Sequence, residues 1–93
     1  MIVSFACKET KRIWNGRHSR AFPENIQDRA LRKLRQLDAS QNLDDLINPP
    51  GNRLEALKGN REGQYSIRIN QQWRLCFVWD KSDASQVEIV DYH

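Results

Sequence analysis

The sequence predicts an α+β fold: an antiparallel sheet with two amino-terminal helices packed on one face. Three observations carry that expectation. An apolar stripe of helical period fills residues 26–37, runs of strand period fill residues 65–92, and a Pro/Gly cluster at Asn48–Asn52 separates them. Helices gathered first and strands last are the mark of an antiparallel sheet covered on one side. At 93 residues the chain makes one domain, 1–93, with a core sufficient to fold without staples.

Each element has its own justification. Residues 1–6 read as a short strand, because Ile2, Val3 and Phe5 supply β-branched and aromatic side chains. Residues 8–15 read as a short helix stopped by Gly16 at the position after the cap. Gly16–Arg20 is a polar loop. Pro23 begins the second helix, where a missing N–H costs nothing. Glu24 and Asp28 then lie toward its positive end, and Arg32, Lys33 and Arg35 toward its negative end. Ile26, Ala30, Leu34 and Leu37 form the buried stripe, widened by Leu31.

Leu43 and Leu46 anchor a turn, and a short strand is expected near Arg53–Glu55. Lys58–Gly63 is a loop with two glycines. Tyr65, Ile67 and Ile69 alternate with Ser66, Arg68 and Asn70, and Trp73, Leu75, Phe77 and Trp79 alternate with Arg74, Cys76 and Val78. A turn at residues 70–72 that pairs Ile69 with Trp73 puts both apolar sets on one face. Arg68 and Arg74 then lie opposite one another on the other face. Like charges in that position destabilise a strand pair, so the fold keeps them for a bound anion or an intervening carboxylate. Val87–His93 reads as the last strand, after a turn around Ser82–Asp83.

Composition narrows the function. No apolar stretch reaches the ~18 residues of a membrane span, and the amino end lacks the basic start and long apolar run of a signal peptide. A cytoplasmic protein without a membrane partner is expected. Cys7 and Cys76 are distant and outside any CxxC pair, so two reduced thiols are expected rather than a disulfide. His18 and His93 stand at no ligand spacing, so neither a metal nor another cofactor is expected. The net charge of +3 is uneven. Residues 1–37 hold nine Lys/Arg against three Asp/Glu, whereas residues 38–93 hold six against nine. A basic half points to a polyanion partner, nucleic acid being the commonest, or to a solvated basic helix face.

Metal-free RNA cleavage needs a base for the 2′-hydroxyl, cations for the phosphate, and an acid for the departing 5′-oxygen. Lys58, Arg68 and Arg74, with Arg61 in reserve, meet the need for cations. Glu55, Asp91, Tyr92 and His93 can transfer protons, although Asp91 equally suits an ion pair with an arginine and Tyr92 a packing role. His93 adjoins its own α-carboxylate, which favours the imidazolium form.

A resemblance sharpens this. Arg53–Asn70, Gln72–Phe77 and the ending Val90–His93 resemble the central motif, the Trp-Arg segment and the terminus of HigB-type toxins in the RelE superfamily. The Met1-Ile2-x-Ser4-Phe5 start, the long second helix and the Pro49-Pro50-Gly51 turn extend the likeness over the whole chain. The resemblance implies a RelE-like fold and the toxin of a type II toxin–antitoxin module. Such a toxin enters the 30S A site of the ribosome and cuts translated mRNA without metal, leaving a cyclic phosphate. It implies a HigA-type antitoxin as partner, with promoter DNA reached only through that antitoxin.

By the same resemblance Lys58 and Arg74 neutralise the scissile phosphate, Asp91 and His93 take part in catalysis, and Tyr92 stacks on or orients a base. Arg68 and Asn70 occupy the motif's strand as RNA contacts. Glu55 departs from members that carry histidine there, and a carboxylate base would need a raised pKa that nearby cations oppose. The alternative is a non-enzymatic relative that inhibits a protein such as DNA gyrase, as the ParE-like branch does. That branch lacks the basic and terminal catalytic set.

Overall fold

The computed structural model describes residues 1–92, and His93 lies outside the described residues. Two helices precede a four-stranded antiparallel sheet of order β1-β2-β3-β4: α1 Lys8–Trp14, α2 Glu24–Ala39, β1 Glu55–Ala56, β2 Gln64–Arg68, β3 Trp73–Asp80 and β4 Asp83–Asp91. The expected α+β layering holds. Ile26, Ala30, Leu34 and Leu37 of α2 are buried against Ile67, Leu75, Phe77, Val87 and Ile89 of the sheet, with Ile13 of α1. Each of these side chains other than Ala30 contributes about 1.5–3 kcal/mol when removed from water. Thr10 of α1 is also buried, and its Oγ1 accepts the Ile89 N–H at 3.0 Å, tying α1 to β4.

Several boundaries differ from expectation, each for a local reason. Residues 1–6 pair with β4 in parallel only at two isolated bridges, Ile2 with Ala84 and Phe5 with Val87. The register of β3 and β4 shifts between Cys76 and Val78, and Gln86 takes a left-handed φ of 51°. That bulge interrupts the edge on which a continuous amino-terminal strand would need to pair. Pro23 caps α2 from outside rather than opening it, with an extended ψ of 137° and its carbonyl accepting the Ile26 N–H. The strand expected at Arg53–Glu55 starts two residues later, because Arg53 is left-handed at φ 46° behind a 3-10 turn over Pro50–Asn52. β4 starts earlier than read, at Asp83, because Asp83, Ala84 and Ser85 pair with Asp80, Trp79 and Val78, although Ala84, Ser85 and Gln86 lack the apolar alternation by which a strand is read.

Between α2 and β1 the chain is held by buried Leu46 and by the polar side chain of buried Asn52. Asn52 Nδ2 donates to the Leu46 and Asn48 carbonyls and to Gln36 Oε1, while its Oδ1 accepts from Lys33 Nζ. A buried amide satisfied on both sides fixes the loop that delivers Arg53 and Glu55 to the sheet. At the other hairpin, Asn70 Oδ1 accepts the N–H groups of Gln72 and Trp73 at 2.8 Å each, which sets the expected turn at 70–72.

Candidate active site

The helices cover one face of the sheet and leave the other open. Strand alternation sorts the polar residues onto that open face. Glu55, Ser66, Cys76 and Glu88 are in register across all four strands, forming one row. The next rung holds Arg68, Arg74 and Val90, with Arg68 directly opposite Arg74 as the alternation required.

Arg74 is the centre of this face. It is only 7% exposed, and its guanidinium is held from below and from the side. Nε donates to Ser66 Oγ at 2.8 Å, and Nη2 donates to the Arg53 carbonyl at 2.6 Å. Above it lies the Tyr92 ring, with the guanidinium carbon 5.2 Å from the ring centroid, within cation–π range. The Tyr92 hydroxyl donates to Glu55 Oε1 at 2.9 Å, so the last strand and the first are joined across the cation. That bond to Glu55 raises the phenol's pKa above its ordinary value, and the hydroxyl stays protonated at neutral pH. Tyr92 can therefore donate a proton or stack, but it does not supply a phenolate base.

Among the described residues neither Arg68 nor Arg74 is ion-paired with a carboxylate. Arg68 Nε donates to the Asn70 carbonyl at 3.0 Å. Two opposed guanidinium groups resting on neutral oxygens keep their positive charge available to an anion, the first of the two reasons the sequence offered for keeping them.

The remaining expected residues are distributed around this centre. Leu57 continues the ladder past β1, its N–H donating to Gln64 O, and the exposed Lys58 follows it. Arg61, in the 3-10 turn Gly59–Arg61 that follows, is committed to protein partners. It pairs with Glu88 at 2.7 Å and donates to Gln64 Oε1 at 3.1 Å, and the bond to Glu88 raises its pKa further. The pair crosses from the loop to β4 and so fixes the turn that carries Lys58. Asn70 spends its side chain on the hairpin turn. Asp91 is paired in register with Trp73 and so shares the parity of the opposite face. Its Oδ2 accepts from Gln72 Nε2 at 3.1 Å, and the Tyr92 N–H donates to the Gln72 carbonyl at 2.6 Å. His93, expected to take part in catalysis, lies outside the described residues.

Glu55, Arg74 and Tyr92 thus come together in direct contact, with Arg68 alongside. Ser66, Glu88 and Gln72 hold this arrangement and were not singled out in the sequence. A signal for Ser66 existed: it alternates onto the face of Arg68, and the register that opposes Arg68 to Arg74 also places Ser66 beside Cys76. Cys7 and Cys76 are both free thiols, and burial raises the pKa of Cys76 beneath this face.

The family profile of the HigB-like toxins, RelE-like toxins of type II toxin–antitoxin systems, matches residues 3–93. The chain belongs to that family. This HigB-like toxin is 52% identical to Toxin HigB-1 of Vibrio cholerae over 80 residues, covering 85% of this chain and 84% of that one. It is 32% identical over 93 residues to the Endoribonuclease HigB of Proteus vulgaris, with all of both chains covered. Among solved structures, a variant of YafQ from E. coli shares the fold of the HigB-like toxin at a TM-score of 0.66. Sequence identity there is 12%, covering 98% of this chain and 91% of that one. No helix of the described residues is long and apolar enough to cross a membrane.

Proposed function

We propose that this HigB-like toxin is an endoribonuclease that cleaves translated mRNA in the ribosomal A site without a metal ion, acting as one RelE-like domain in the cytoplasm. The observation that carries the reading is the buried Arg74 guanidinium set between Ser66 and the Tyr92–Glu55 pair on the open face. A preorganised cation at a site of developing phosphorane charge lowers the barrier more than one that must be recruited from solvent. The name of the Proteus vulgaris relative, an endoribonuclease, supports the same chemistry.

In this reading Arg74 and Lys58 bear the charge that builds on the scissile phosphate. His93 moves the protons, as an imidazole can in both directions. Asp91, whose parity is that of the opposite face, assists from the strand end before His93 rather than by touching the phosphate. Tyr92, neutral and already lying over a planar cation, exchanges that contact for a base. Glu55 holds the Tyr92 hydroxyl rather than serving as the base. A HigA-type antitoxin is the steady-state partner, and promoter DNA is reached through it alone.

The test is His93→Gln, assayed for mRNA cleavage during translation and for co-sedimentation with ribosomes. Loss of cleavage with retained ribosome binding is the expected result. If both survive, His93 is not the proton-transfer group; if the wild type cuts nothing, the enzymatic reading is wrong. If neither wild-type activity is found and the protein binds gyrase instead, the inhibitor reading takes its place.

A further inference from the structure

A second basic feature lies beyond the Arg74 centre. β2 runs to Arg68, whereas β1 accompanies it only at Tyr65 and Ser66, so the edge of the sheet is open there. The polar face of α2 stands against that open edge, and a cleft of about 520 Å³ lies between them. Arg29, Arg32, Lys33 and Arg68 line it together with Gln36 and Asn70, and among the described residues no carboxylate does. Arg29 Nη1 donates to the Ile69 carbonyl at 3.3 Å, and Lys33 Nζ donates to Asn52 Oδ1, so α2 is tied to both walls.

Four cations around one cleft repel one another. Burial, Arg29 and Arg32 together lower the pKa of Lys33, the sign of positive charge gathered without an anionic counterpart. An occupant must therefore be an anion, and it must be extended, because the charges span a helix face and a strand end. Three of the four are arginines, whose forked donors match phosphate oxygens bidentately. Ile69 is the one apolar residue among the lining side chains, too little to seat the anchors that an acidic peptide uses to bind. Arg68 belongs to this cleft and is also the cross-strand partner of Arg74. The two sites thus form one continuous cationic track.

We propose that the cleft between α2 and the β2–β3 hairpin is a second phosphodiester subsite, which takes the sugar-phosphate backbone of RNA outside the cleaved bond. The proposal rests on the RNA-cleaving reading for the identity of the polyanion. Its source is either the flanking message or ribosomal RNA, which share the chemistry.

The experiment compares the wild type, Arg29→Gln/Arg32→Gln, and a control that removes the same charge elsewhere, Lys8→Gln/Lys81→Gln. Lys8 opens α1 and Lys81 lies in the β3–β4 turn, both exposed and away from the cleft. One arm measures binding to a non-cleavable 2′-O-methyl single-stranded RNA by anisotropy across a potassium chloride series. A second measures co-sedimentation with ribosomes, and a third binding to the cognate antitoxin. The cleft variant should bind RNA about tenfold or more weakly, with a salt slope shallower by about 1.4 for two lost phosphate contacts. The control should stay close to wild type. Weaker binding in the oligonucleotide arm assigns the cleft to the message, and weaker binding confined to ribosomes assigns it to ribosomal RNA. Equal behaviour of the two variants in both arms overturns the proposal, as does a loss confined to the antitoxin, which would make the cleft an acidic-peptide site. A wild type that shows this variant-sensitive binding yet cuts nothing refutes the cleavage reading and leaves the subsite standing.

Discussion

Ser66→Ala isolates what holds Arg74 in place. The substitution removes one oxygen from a fully buried position, creates no steric conflict and leaves the sheet register untouched. It deprives Arg74 Nε of its 2.8 Å acceptor beneath the Tyr92 ring, at a residue only 7% exposed. Stranding a buried, charged donor costs about 1–3 kcal/mol, a sizeable share of the roughly 5–14 kcal/mol available to a domain of this size. The midpoint of thermal unfolding should fall by about 5–20 °C. The guanidinium keeps its bond to the Arg53 carbonyl at 2.6 Å and so pivots rather than leaves. Cleavage, measured well below the new midpoint, should therefore drop through kcat rather than vanish. Urea unfolding followed by circular dichroism, combined with a cycle on Arg74→Lys, gives the coupling between the two residues. A stability change below about 0.5 kcal/mol, or additive single effects, would refute the view that Ser66 fixes the catalytic cation.

Three further predictions follow from the same geometry. In a Tyr65→Phe background, ultraviolet titration should place the Tyr92 phenol above its ordinary 10.0, returning toward it in Glu55→Gln. Because the folded-state value is raised, the stabilisation from this bond is present below the unfolded value and lost as pH rises through the folded one; an unshifted phenol would deny the Glu55 contact. Glu88→Gln should change stability by less than about 1 kcal/mol, since the Arg61–Glu88 pair is part-exposed, yet lower cleavage several-fold by loosening the turn beside Lys58. Adding Arg61→Gln should cost little more, and additive losses would separate the two residues. A thiol reagent at pH 8 should modify the half-buried Cys7 first and reach the fully buried Cys76 only on unfolding, so that equal rates would contradict the burial of Cys76.

The parts legible in the sequence were those set by local periodicity. The α2 stripe, the β2–β3 pairing and the Arg68–Arg74 opposition all follow from spacings of 3.6 and 2, and each is found where those spacings place it. Long-range backbone events were not legible. The left-handed Arg53 and the bulge at Gln86 decide where β1 starts and why residues 1–6 make two bridges instead of a strand. The same holds within the site. Alternation and the motif single out Arg74 and Tyr92, but no local pattern reveals that a phenol just past the end of β4 crosses to a carboxylate on β1 over a guanidinium on β3. Arg61 was read as a cation for RNA. Its pairing with Glu88, 27 positions away in sequence, depends on a sheet order that composition does not encode.

In the proposed function this open face cuts RNA, and does so on the ribosome. Mapping the 5′ ends of a defined mRNA held on purified ribosomes, with EDTA-treated toxin and beside the same RNA without ribosomes, tests it most directly. Cuts confined to A-site codons of the ribosome-bound message, undiminished by the chelator, are the predicted result. An uncut message in both samples, or cleavage that returns only with added metal, would contradict it.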